Sequence, residues 1–179
     1  MKNIFINFSI VACFAIALCS FSINAHAAVP EGYKTINFPG FTVSIPGEFE
    51  KSEGWSSESQ MSFNSNAVNV RDDGDEYLSS ATINVYEMEG NIDELNDFAQ
   101  NMAGSARAMD EVCDEPIIEG NTVILRSTSD VGDGFVIYWR FVVINENGKV
   151  AGGTVSYYDG DAKFYDGIVM PIIQSIQFK

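Results

Sequence analysis

The chain has 179 residues, with 25 acidic against 10 basic side chains, a formal net charge of −15, one histidine and three cysteines. That balance repels nucleic acid and anionic membrane surfaces, so neither is expected as a partner. Cationic peptides, basic protein faces and metal ions stay open, beside the simpler reading that the acidity only keeps the protein in solution.

In chain order, Met1-Lys2-Asn3 carries one positive charge, and Ile4 to Ile23 is apolar apart from Asn7, Ser9, Ser20 and Ser22. Ala25-His26-Ala27, with Ala28 behind it, supplies a small-x-small cleavage site. This order predicts a cleaved signal peptide over 1–27, a single domain over 28–179, and a periplasmic or secreted location. The apolar stretch is long enough to cross a bilayer. The cleavage site argues instead for no stable membrane insertion afterwards. Ile10-Val11-Ala12-Cys13 formally resembles a lipobox, but the apolar run continues through Phe14 to Leu18, where a lipidated cysteine opens a polar tether. Cys19 follows Leu18, which is too large for the position before a lipidated cysteine.

Cleavage after Ala27 would remove His26, the only histidine, together with Cys13 and Cys19. Ser-His-Asp and Cys-His mechanisms then lack their proton shuttle. Histidine-ligated zinc, copper or iron is excluded as well, and one cysteine makes no thiolate site. Lys34, Lys51, Lys149, Lys163 and Lys179 sit in polar or terminal contexts, and none reads as a desolvated base. No glycine-rich phosphate loop precedes a helix. The expectation is therefore a protein that is not an enzyme, with no catalytic, cofactor-binding or metal-ligating residue assigned and no cofactor. Cys113 lies among Asp110, Glu111, Asp114 and Glu115, where negative charge disfavours a thiolate. It reads as a partly buried structural cysteine.

Tyr33 to Asn37 and Phe41 to Ile45 read as strands around Pro39-Gly40, and Pro46-Gly47 ends the second. Residues 47–60 read as a loop, with Trp55 folding back on the sheet. Met61 to Phe63 and Ala67 to Arg71 read as two short strands. Ala81, Ile83 and Val85 alternate with polar neighbours, the period of a half-buried strand. Residues 91–109 change period: Ile92, Leu95, Phe98, Ala99, Met102, Ala106 and Met109 fall on one helical stripe. Asn91 and Glu94 fit a capping box. Pro116 to Glu119 and Thr122 to Ser127 read as strands joined across Gly120-Asn121. Phe135 to Ile144 is nearly all apolar and predicts a central strand, joined to Lys149 to Tyr158 by the hairpin signal Asn147-Gly148. Asp161 to Gln174 predicts a helix with Phe164, Ile168 and Ile172 inward and a kink at Pro171. Ser175 to Phe178 reads as a last strand. The sum is α+β: a mostly antiparallel β-sheet flanked by two main helices.

Two constellations stand out. Asp72, Asp73, Asp75 and Glu76 surround Gly74, hard oxygen ligands at a turn that calcium would accept. The EF-hand spacing is missing, however, and Asp-Gly is an ordinary turn that recurs at Asp133-Gly134, Asp159-Gly160 and Asp166-Gly167. Trp139, Tyr157 and Tyr158 could line a peptide groove or simply pack on the sheet. Adjacent Tyr157 and Tyr158 must point to opposite faces.

The sequence resembles the PsbP-like superfamily of α/β/α sandwiches. Phe41-Thr42-Val43-Ser44-Ile45-Pro46 with Trp55 after it, the capped helix, the Trp139 strand with its hairpin, and Ile172-Ile173-Gln174-Ser175-Ile176 carry the resemblance. It implies accessory or binding proteins without a family catalytic residue, among them photosystem-assembly factors, proteins similar to the periplasmic DcrB, chaperones and nuclear-transport adaptors. The functional expectation is an exported, non-enzymatic accessory or binding protein, periplasmic, whose partner is another protein or peptide. A carboxylate-dependent hydrolase acting on glycans and a calcium-binding secreted domain are the alternatives.

Overall fold

The computed structural model describes residues 29–70, 76–132 and 134–179. The signal peptide expected at 1–27 and the acidic turn at 72–75 lie outside the described residues.

Two strands come first, β1 (Tyr33–Asn37) and β2 (Phe41–Pro46), then the short β3 (Glu50–Lys51) and a 3-10 turn, Glu53–Trp55. A long hairpin of β4 (Gln60–Val70) and β5 (Glu76–Glu89) follows. The 3-10 turn Ile92–Glu94 leads into α1 (Leu95–Ala108). Next come β6 (Val112–Cys113), β7 (Ile117–Glu119), β8 (Thr122–Asp130), β9 (Phe135–Ile144) and β10 (Lys149–Tyr158). After the 3-10 turn Asp159–Asp161, the chain closes with α2 (Ala162–Gln174) and β11 (Gln177–Phe178).

The expected α+β class holds, and every strand pairing among the described residues is antiparallel. The strands form two sheets rather than one. The large sheet runs β3-β4-β5-β10-β9-β8-β6, with β7 also on β8, and the small one runs β1-β2-β11. The main core lies between them. Phe38, Phe41, Val43, Ile45 and Phe49 pack with Phe63, Ile83, Val85, Phe141 and Val155, and with Val169 and Ile172 of α2. The small sheet is closed by contacts remote in sequence. Ser44 N–H donates to Ser175 Oγ at 2.8 Å, and Ser175 Oγ donates to Ile172 O at 2.7 Å.

Several boundaries differ from the sequence reading. The two strands expected at 61–63 and 67–71 are one, paired with β5 continuously from Gln60↔Tyr86 to Val70↔Glu76. Asn64, Ser65 and Asn66 break the apolar pattern, but backbone pairing does not require apolar side chains. The region expected as a loop contains β3, which pairs with Asn64 and Phe63.

Helix α1 buries Leu95, Ala99, Ala103 and Ala106. The expected stripe ends, Ile92 and Met109, are exposed. The alanine row lets the helix lie close on the sheet, so its larger side chains Phe98 and Met102 flank the contact instead of filling it. Helix α2 buries Tyr165, Val169, Ile172 and Ile173, a stripe rotated from the expected one, with Phe164 and Ile168 half-buried at its side. Its hydrogen bonding continues past Pro171 to the cap, where Ser175 N–H donates to Pro171 O and Ile172 O.

Candidate functional site

Alternation along a strand divides the large sheet into an inner face, against the small sheet and α2, and an outer face. On the outer face α1 covers one part. Val123, Val142, Ile144 and Val150 pack under Leu95 and Ala99, and Leu125 packs under Ala103 and Ala106. The rest of that face has a different composition. Ser62, Asn84, Thr154 and Arg140 stand side by side in register across β4, β5, β10 and β9. Asn64, Thr82, Ser156 and Tyr138 form the next row, with Ser127 beyond them on β8. Tyr86 borders the first row, and its ring lies directly on Gly152, where any Cβ would overlap it. Apart from buried Ser62 and Ser127, these side chains are half-buried, and none of them is a carboxylate.

Two devices hold this platform in shape. Thr82 Oγ1 donates to Asn64 Oδ1 at 3.1 Å. At the border with α1, Arg140 grips Glu111 with both arms: Nη2–H to Oε1 at 2.7 Å and Nη1–H to Oε2 at 2.8 Å. Ser127 Oγ donates to the same Oε2 at 2.5 Å and accepts from Arg140 Nη1 at 2.5 Å. The chain delivers Glu111 there because Asp110 takes a positive φ of 58°, the left-handed cap that ends many helices, and Glu111 N–H folds back to Ala106 O at 3.0 Å. The guanidinium also lies 4.9 Å from the Tyr138 ring centroid. Burial raises the Tyr86 hydroxyl pKa, and Arg140 opposes that shift. The platform is therefore hydroxyl-, amide- and aromatic-lined, with its one cation internally compensated. Its chemistry suits recognition by hydrogen bonds and ring contact.

Of the two readings of Trp139, Tyr157 and Tyr158, packing on the sheet holds for Trp139 and Tyr157, and no groove joins the three. Trp139 and Tyr157 meet on the inner face, where Trp139 Nε1–H donates to Tyr157 Oη at 2.7 Å. Tyr157 Oη–H in turn donates to Asp166 Oδ1 of α2. Tyr157 is 2% exposed, whereas Tyr158, on the opposite face as alternation requires, is 50% exposed. Burial first, and then the Asp166 hydrogen bond, push the Tyr157 hydroxyl well above the ordinary tyrosine value. Cys113 is half-buried beside the Ala103, Ala106 and Leu125 cluster. Among the described residues no group of His, Cys, Asp and Glu is placed to hold a metal ion. Of the calcium candidates only Glu76 is described, as the first residue of β5. The Trp55 side chain lies outside the described residues. Sequence reasoning missed the platform, because each of its residues reads singly as an exposed polar strand position.

No protein-family model matches the sequence, and no curated protein matches it. The fold does match solved structures. Mog1p of Saccharomyces cerevisiae, described as a Ran-binding protein, is 11% identical, with a TM-score of 0.53 over 81% of this chain and 94% of its own. A variant of protein Mog1 is 10% identical, with a TM-score of 0.54 over 81% of this chain and 95% of its own. A Bacteroides thetaiotaomicron protein is 10% identical, with a TM-score of 0.47, and this chain spans 45% of its length. At these identities the likeness shows a shared fold. It also corrects the functional expectation. The neighbour with a described function is a Ran-binding protein, so the reading as an exported periplasmic accessory or binding protein is withdrawn. What stands is the α+β fold shared with Mog1p.

Proposed function

We propose that the chain is a non-catalytic protein-docking module of the Mog1-like, PsbP-like fold, and that the open face of its large sheet holds a partner protein. The observation that supports this reading is the composition of that face. In a chain of net charge −15, Asn64, Thr82, Asn84, Tyr86, Tyr138, Thr154 and Ser156 form a continuous surface without a carboxylate. A partner approaches there without charge repulsion. Tyrosine rings with short hydroxyl and amide side chains give contact area and adaptable hydrogen bonds at low entropic cost. Mog1p, described as Ran-binding, gives a precedent for a protein ligand on this fold.

Site-specific photo-crosslinking tests the assignment. A crosslinking amino acid at Thr154 should trap one discrete partner in cells that make the protein. The same group at the exposed Asn101 of α1 should trap none. Asn84→Arg should remove the Thr154 product while leaving the thermal melt intact. Equal products from both positions, or a product insensitive to Asn84→Arg, would overturn the reading.

A further inference from the structure

Strands β6 and β7 pair with the same side of β8, but in registers that differ by one. Val112 faces Thr128 and Cys113 faces Ser127, whereas Ile117 faces Ile124 and Ile118 faces Val123. One extra residue therefore sits between Cys113 and Ile117, a β-bulge that contains Pro116. The pairing survives into it, with Asp114 N–H donating to Arg126 O at 3.0 Å. Among the described residues no strand pairs with the outer side of β6 or β7. A bulge, a proline and carboxylates are how sheet edges avoid pairing with copies of themselves.

The same edge is nonetheless apolar on one side. Directly opposed residues share a face. Val112 thus projects with Thr128, and Ile117 with Ile124, toward the α2 side of the sheet. Helix α2 packs on β2, β9 and β10, which leaves this strip open. Val112 is 76% exposed and Ile117 53%. Between them stands Arg126, opposite the half-buried Trp139, with its guanidinium 5.8 Å from the indole centroid. Tryptophan and arginine are enriched at interface hot spots. Asp114 and Glu119 rim the strip on this face, and Glu115 lies on the other face, beside α1. Arg126 offsets part of that charge, with Asp114 3.8 Å away.

The geometry points to this strip as a second docking surface, which takes an extended segment of a partner protein with apolar residues alternating with Lys or Arg. The free backbone edge of Ile117–Glu119 selects an extended segment. The two-residue period then lays apolar side chains beside Val112 and Ile117 and turns the basic ones to the opposite face, toward Glu115. A second copy of the chain is disfavoured by its own net charge of −15. The surface is distinct from the outer-face platform and does not depend on it.

The test is titration of the full chain with a capped alternating Lys-Val octapeptide, followed by amide chemical shifts at low and high salt. The expected result is saturable binding that weakens as salt rises, with shifts confined to residues 112–119 and their partners on β8. An alternating Glu-Val peptide should not bind. The double variant Val112→Lys, Ile117→Lys changes two exposed positions, so its thermal melt should be preserved, and it should weaken binding about tenfold. Asn84→Arg on the platform should leave it unchanged, which separates this surface from the first. Shifts scattered over the acidic surface, equal binding of the Glu-Val peptide, or a dimer that Ile117→Lys dissolves would each overturn the proposal.

Discussion

Arg140 shows how one side chain sets the limits of the platform. Its side chain is 15% exposed and that of Glu111 3%, so the pair is shielded from solvent and salt. Removing the carboxylate leaves a guanidinium with two unmet donors. Glu111→Ala should therefore cost about 3–5 kcal/mol in urea unfolding. Glu111→Gln, which keeps one acceptor, should cost less. Tyr157 gives a pH signature. Its hydroxyl is raised above the ordinary 10.0, so the folded protein keeps that proton after the unfolded chain has lost it. Its stabilising contribution is complete below pH 10 and is lost as pH rises from there toward the folded value. Unfolding midpoints measured from pH 9 upward should fall beyond pH 10, and Tyr157→Phe should flatten that fall while lowering stability at neutral pH.

Among the elements, α1 was the most legible in the sequence, because its determinants are local. Asn91 Oδ1 accepts from Asp93 N–H at 3.1 Å, and Glu94 Oε2 accepts from Asn91 N–H at 3.2 Å. The capping box reads directly off the residues, and Asn91→Ala should cost about 1 kcal/mol by thermal or urea unfolding. The depth of the helix in the fold was not legible. Ala103 is 3% exposed, and the alanine row sets the distance to Leu125. Ala103→Leu should destabilise by about 1–3 kcal/mol through overpacking. In β10 the pair Gly152-Gly153 has no local reading either. The Tyr86 ring occupies the space above one glycine and the Phe141 ring that above the other. Gly152→Ala should displace Tyr86 and weaken partner capture at Thr154, while the melting temperature shows whether the sheet itself has suffered.

The whole molecule is built on two sheets that share a core. Phe41 stacks on Phe38 with centroids 4.6 Å apart and is fully buried where the small sheet meets the large one. Phe41→Ala should cost about 3–5 kcal/mol in equilibrium unfolding, through lost burial and the cavity left behind. At this scale charge and coverage act together. The helices and the small sheet cover the apolar parts of the large sheet and leave a neutral platform on one face and an acid-rimmed strip at the opposite edge. The docking proposal rests on that distribution more than on any single residue.

By itself the sequence determined the features that act over a few residues. The hairpin at Asn147-Gly148 is one: Gly148 takes φ 77°, and Asn145 Oδ1 accepts from Asn147 and Lys149 N–H at 3.0 and 2.8 Å. The length of β9, the capping box and the opposed faces of Tyr157 and Tyr158 are others. Tertiary structure alone decided the rest. β11 joins the small sheet because the end of the chain returns to β2, with Gln177 opposite Thr42 and Ser175 bonded to Ser44 across 131 residues. The strands expected separately at 61–63 and 67–71 fuse because β5 offers a partner to every residue between them. Asn84, Thr154 and Tyr138 become a surface only because α1 stops short of them. Local propensity depends on neighbours in the chain, whereas register and coverage depend on which distant strand or helix arrives opposite, and no window of sequence contains both.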